Sequence, residues 1–159
     1  MLKNTDILVV DCDGVLTDGM YSVSSNGVIT KNFYTRDFSA LEKIQQLGVK
    51  VVILTQSEDD CLKYKINSLK NHEDISFFCG IKNKLQVVTK LVLEKGCTWG
   101  QCAYMGDSQN DYECMCYCNS ACPCDAEKPI LKIAKYVSPY KGGHGAVADF
   151  IEHLLENDK

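Results

Sequence analysis

No stretch of this 159-residue chain stays apolar for the roughly 20 residues that a membrane-crossing helix needs. Basic residues are not in excess either: 17 Lys and Arg stand against 21 Asp and Glu, a net charge of −4. Nucleic-acid backbones demand a basic face, so such a partner is not expected. Met1 to Asp6 run almost directly into an apolar strand, with no leader pattern before it, which points to the cytoplasm. Repeats, linkers and low-complexity tracts are missing. The length suits one domain over residues 1–159, and 45% apolar with 24% charged residues is ordinary for a globular fold.

Cysteine, by contrast, is plentiful, with ten in the chain. Without a secretory leader a disulfide framework is not expected. Cys114, Cys116, Cys118, Cys122 and Cys124 crowd together, but their spacing lacks the paired C-x-x-C knuckles of a structural zinc site. On a helix Cys114 and Cys118 share a face and Cys116 points elsewhere, so they read as small packing residues.

Strand and helix patterns alternate. Ile7 to Val10 form a first buried strand. Residues 20–23 and 28–33 flank the turn Ser24-Ser25-Asn26-Gly27 as a hairpin. A helix capped by Asp37 or Ser39 and carrying Leu41, Ile44 and Leu47 ends at Gly48. Val49 to Leu54 is a second buried strand, followed by a helix over 58–69 and a short strand over 75–78. Leu85, Val88, Leu91 and Val92 mark the next helix, and Cys102 to Met105 the next strand. Helix 111–118, strand 120–122, helix 128–134, strand 136–137 and helix 145–156 complete the chain. This alternation predicts a Rossmann-like α/β fold, a parallel sheet with helices on both faces plus a protruding hairpin.

The chemistry concentrates at strand ends. Asp11 and Asp13, in Asp11-Cys12-Asp13-Gly14-Val15, follow the first strand, in the crevice where open α/β sheets bind ligands. Asp11 is suited to attack phosphorus and form an aspartyl-phosphate, and Asp13 to serve as acid and then base. Thr55, ending the second strand, can donate to a phosphoryl oxygen. Lys84, opening a helix, can neutralise growing charge. Asp107 supplies another strand-end carboxylate for a divalent cation, and Mg2+ favours a few carboxylates with phosphate oxygens and water. Asp111, one turn on, is placed to orient Lys84 or a water. An anionic ester beside these acids requires the cation. Each residue alone is commonplace; their order is not.

That order resembles the haloacid dehalogenase superfamily. Asp11-Cys12-Asp13-Gly14-Val15-Leu16-Thr17-Asp18-Gly19, the hairpin, Lys31-Asn32-Phe33, Arg36-Asp37 and the tail Lys141 to Ala146 are similar to its 3-deoxy-octulosonate 8-phosphate phosphatase group. That group includes nonulosonate 9-phosphate phosphatases and the carboxyl-terminal domain of acylneuraminate cytidylyltransferases. The resemblance implies a Mg2+-dependent phosphatase of a small phosphorylated sugar acid. It assigns the metal to Asp11, Asp13 (through its backbone carbonyl) and Asp107, and the phosphate to Thr55, Lys84 and the backbone N–H groups after Asp11 and Thr55, the latter that of Gln56. Ser57, Lys141, Gly142 and Gly143 become candidates for substrate contact or a lid. Phe38, after Asp37, is expected to narrow the mouth of the site. The gaps between Asp13, Thr55 and Lys84 hold no cap domain, so a neighbouring subunit of a homotetramer is expected to give cover. The rival readings are a vestigial oligomerisation module and a phosphomutase or phosphotransferase, which normally needs a cap to exclude water.

Overall fold

A central strand buried on both faces organises the protein. In the computed structural model, which describes residues 4–69 and 74–157, β1 (Ile7–Asp11) lies mid-sheet with every residue buried. Met1, Leu2 and Lys3, part of the segment read above for a leader, lie outside the described residues. The hairpin β2 (Ser22–Val23) and β3 (Ile29–Thr30) projects from the loop after β1, and its ladder is far shorter than the expected arms. Next come α1 (Thr35–Gln46), β4 (Lys50–Leu54), α2 (Cys61–Asn67), β5 (Ser76–Phe78) and α3 (Lys84–Lys95). Then β6 (Cys102–Met105), α4 (Tyr112–Tyr117), β7 (Asn119–Cys122), α5 (Lys128–Ile133), β8 (Tyr136–Val137) and α6 (Ala146–Asn157) complete the order.

All six strands of the main sheet are parallel, in the order β5-β4-β1-β6-β7-β8. Alternate residues of each strand feed two cores. Leu8, Val10, Val51 and Ile53 pack with Leu41 and Ile44 of α1, Ile66 of α2 and Phe150 of α6. Ile7, Val9, Val52 and Leu54 face the other way, with Val88 of α3, Met115 of α4 and Ile130 of α5. Cys102, Cys114, Cys118 and Cys122 fill the second core, whereas Cys116 and Cys124 are exposed. Among the described residues no helix is long and apolar enough to cross a membrane.

Three expectations need correction. First, α1 begins at Thr35, and its N-cap position is Tyr34 with no side-chain cap. Asp37 is buried within the helix, and its Oδ1 accepts the N–H of Ala148 at 2.9 Å, so it caps the start of α6 instead. Ser39 Oγ merely donates to the Thr35 carbonyl. Second, the earlier start carries Phe38 into the core, one turn before Leu41 and edge-on to Phe33 at 5.6 Å, so it does not narrow the mouth. Leu47, past the end of the helix, is exposed. Third, α2 begins at Cys61 instead of Glu58, and Asp59, just before it, is drawn into polar contacts described below.

Asp37→Ala should lower stability by about 1–2 kcal/mol through loss of this cap. Thermal unfolding should show a midpoint roughly 4 °C lower; an unchanged midpoint would show that the Ala148 contact contributes nothing.

Candidate active site

The register of the sheet brings the predicted residues together. Asp11 pairs with Leu54 across the β1–β4 ladder and Val10 with Met105 across β1–β6, so Thr55 and Gly106-Asp107 leave the sheet beside Asp11. Between β1 and β6 the connections leave toward opposite edges of the sheet, the switch point at which parallel sheets open a crevice. Lys84, first residue of α3, enters from the second core, only 2% exposed.

Lys84 Nζ lies 2.8 Å from Asp11 Oδ1 and 2.8 Å from Asp111 Oδ1. Burial works against its charge, but the two carboxylates outweigh that and hold the ammonium above its ordinary value. Asp111 is fully engaged: Oδ1 also accepts from Tyr104 Oη at 2.7 Å, and Oδ2 from the N–H groups of Asp107 and Ser108 at 3.1 and 3.3 Å. It therefore orients Lys84 and the turn after β6. Tyr104 escaped the sequence reading, although a phenol in a buried strand needs a partner for its hydroxyl.

Asp107 is different. Its Oδ1 is buried with no hydrogen-bond partner. Burial, then the charge of Asp111, push its carboxyl up to about 7. The same two causes hold Asp11, which is 4% exposed, well above the usual carboxylate range despite Lys84. Oxygens of Asp11, Asp107 and Asp111 lie within 4.8 Å of one another. Three converging carboxylates with one ammonium, and an unpartnered buried oxygen, fit a hard divalent cation. Gly14 makes room for the Asp107 carboxylate: its φ is +82°, and a Cβ there would lie 2.1 Å from Asp107 Oδ2.

Asp13 sits at the mouth, its side chain 36% exposed and 2.9 Å from Lys31 Nζ of the hairpin arm. Its other oxygen accepts from Thr17 Oγ1 at 3.3 Å. Thr55 is buried, and its Oγ1 accepts the N–H of Ser57 at 3.1 Å, which leaves the hydroxyl proton free to be donated. The N–H after Asp11, expected in a phosphate cradle, is given to Asp11 Oδ1 at 2.8 Å instead. Gln56 is exposed at the end of β4. Ser57 contacts Lys31 and Asp59. Lys31 and Asp59 are polar partners that the sequence reading left without a role.

The tail folds onto its own chain. Gly143 N–H donates to the Val15 carbonyl at 2.8 Å and Gly142 N–H to Asp125 Oδ1 at 3.0 Å, while Lys141 is exposed. A Cβ on Gly142 would lie 1.9 Å from the Gly14 carbonyl oxygen, so only glycine permits this approach.

A parallel sheet of this order, with acids at its switch point and a lysine from α3, has the architecture of the haloacid dehalogenase class. No family model matches the chain. It is 30% identical over 159 residues to the Escherichia coli 3-deoxy-D-manno-octulosonate 8-phosphate phosphatase KdsC, covering 96% of this chain and 80% of that protein. It is 31% identical over 150 residues to the Oncorhynchus mykiss N-acylneuraminate cytidylyltransferase, covering 94% of this chain but only 35% of the relative. This chain thus spans about a third of the length of that relative. The Moraxella catarrhalis 3-deoxy-D-manno-octulosonate 8-phosphate phosphatase, solved with magnesium, phosphate and KDO, superposes with a TM-score of 0.90 at 25% identity. That match covers 98% of this chain and 88% of the other. The chain belongs to the KdsC-type phosphatase family of the haloacid dehalogenase superfamily.

The raised carboxyl has a consequence for stability. Because the folded-state value of Asp107, about 7, exceeds the ordinary 3.8, its contribution is complete below about pH 4 and is lost as pH rises through about 7. Asp107→Asn should raise the melting temperature of the metal-free protein at pH 7.5 by roughly 3 °C or more. It should also abolish the further rise that added Mg2+ produces in the unsubstituted protein. Differential scanning fluorimetry at two pH values checks both effects.

Proposed function

We propose that this protein is a Mg2+-dependent phosphomonoesterase that hydrolyses a small phosphorylated sugar acid, of the octulosonate 8-phosphate or nonulosonate 9-phosphate type. The observation that carries the reading is the Lys84 ammonium, 2.8 Å from Asp11 and backed by Asp111, beside the unpartnered Asp107 oxygen. An orphaned acid and a buried cation beside the Asp11 carboxylate suit a dianionic ligand and a metal.

Asp11, Asp107 and the Asp13 backbone carbonyl would hold the cation, which when bound offsets negative charge on the phosphoryl oxygens. Asp11 attacks phosphorus as the ester P–O bond breaks, and an aspartyl-phosphate forms. Asp13 gives its proton to the departing alkoxide. It then takes one from a water whose oxygen attacks the same phosphorus, releasing inorganic phosphate and restoring Asp11. Lys84 opposes the effect of burial and favours the Asp11 carboxylate before attack, and it neutralises the phosphoryl group afterwards. Thr55 donates its hydroxyl proton to a phosphoryl oxygen. Gln56, Ser57, Lys141, Gly142 and Gly143 remain candidates for contact with the phosphate or the sugar, or for a lid.

Assembly as a homotetramer in the cytoplasm belongs to the same proposal. Met20 and Tyr21 on the hairpin are 71% and 63% exposed, and Val23 and Val28 also face outward, an apolar ribbon suited to a second copy. Ten free cysteines suit a reducing compartment. The hairpin equally suits the rival reading, a vestigial oligomerisation module, which the cytidylyltransferase likeness brings to mind.

Hydrolysis separates the two. The protein should release phosphate from para-nitrophenyl phosphate with Mg2+, and Asp11→Asn should lower kcat on the order of 10³-fold or more. A panel of octulosonate, nonulosonate and simpler sugar phosphates, compared by kcat/KM, identifies the preferred ester. Inactivity across the panel, with a well-folded protein and Mg2+ present, would favour the module. Sedimentation should give a species of four chains; a fully active monomer would remove the tetramer from the proposal.

A further inference from the structure

Lys31 stands just past β3, where the hairpin returns to α1, and takes no part in the steps above. Its side chain is only 5% exposed although the hairpin itself is open to solvent. Its Nζ contacts three side chains: Asp13 Oδ2 at 2.9 Å, Ser57 Oγ at 3.3 Å and Asp59 Oδ2 at 2.5 Å. Ser57 Oγ donates to Asp59 as well, and Asp59 Oδ1 accepts the Cys61 N–H at 3.0 Å at the start of α2. Asp59 is thus fixed to the body of the protein, and Lys31 is fixed to Asp59. Beside them lies a cavity of about 250 Å³ bordered by Asp13, Tyr21, Ile29, Lys31, Ser57 and Asp59.

We infer that Lys31 is a positioning residue, which with its anchor Asp59 aims the Asp13 carboxyl at the leaving oxygen of the ester. The inference rests on the phosphatase reading. An aspartate side chain at an open mouth has rotamer freedom, and a proton donor works only within about 2.6–3.2 Å of its acceptor. Lys31 holds Oδ2 while Thr17 holds Oδ1, so Asp13 keeps one orientation with its outer edge toward the cavity. Asp59 balances the charge of Lys31, so the pair adds no net charge next to the dianionic phosphate. The hairpin thereby supplies more than an apolar surface: it carries the group that steadies the acid.

The nature of the leaving group isolates this role. A para-nitrophenolate departs without a proton, whereas a sugar alkoxide needs one. Because kcat/KM covers only the steps up to departure, the hydrolysis of the aspartyl-phosphate common to both esters does not enter. In Lys31→Met, kcat/KM for the best sugar phosphate of the panel should fall on the order of 10²-fold, against less than about 5-fold for para-nitrophenyl phosphate. Asp59→Asn should show the same selectivity with a smaller loss, and Lys31→Arg should recover part of it. Inhibition by inorganic phosphate should stay within about 2-fold in all three. Equal losses on both esters, or no loss on either, would overturn the role of Lys31 alone. An unsubstituted protein inactive on both esters would overturn the phosphatase reading, and this inference with it.

Discussion

Three carboxylates can occupy one pocket here because a single ammonium is buried among them. Lys84 touches both Asp11 and Asp111 at 2.8 Å, and without it the end of β1 and the start of α4, which carry these acids, would repel one another. Helix α3 places it there from its first turn, a position that ordinarily favours acids over bases. The site's electrostatic demand overrides that local preference. Asp111 in turn gathers four donors, fastening α3, β6 and the turn beyond it into one unit. Asp107 joins this arrangement through its N–H alone, and its side chain keeps an oxygen unspent.

The motif is repeated at the mouth in a looser form. Lys31, like Lys84, bridges two carboxylates, Asp13 and Asp59, but it stands on a hairpin and meets an acid that faces solvent. In the proposed reaction the inner lysine would tend the charge of Asp11, and the outer one would tend the direction of Asp13. Between them runs the backbone from Asp11 to Gly14, packed so closely that Gly14 has Asp107 on one side and Gly142 on the other. The molecule thus separates charge control from geometry, while both act on residues two positions apart.

Much of this was readable beforehand because sheet physics is local. Ile7 to Val10 form an unbroken apolar run since both faces of β1 are buried, and the strand-end placement of Asp11, Thr55 and Asp107 follows from parallel register. The pairing of Lys84 with Asp111 needed only one helical turn of reasoning beyond Asp107. Lys31 was not readable as a partner of Asp13 and Asp59: those contacts span 18 and 28 positions and depend on where the hairpin folds. Asp37 misled for a related reason. Its residue type suits a helix cap, but the helix it caps is α6, 111 residues away from its own location. Phe38 then followed the earlier helix start inward.

The strap formed by the tail bears on how the protein is made. Gly143 donates to Val15 across most of the chain's length, so the loop after Asp13 takes its final shape only once residue 143 has joined the fold. On the ribosome, β1 and its acids emerge well before the wall behind Gly14, which comes from residues 142 and 143. A nascent chain therefore carries its acids before it carries the backbone that packs behind them, and the loop after Asp13 closes only when that later segment has followed.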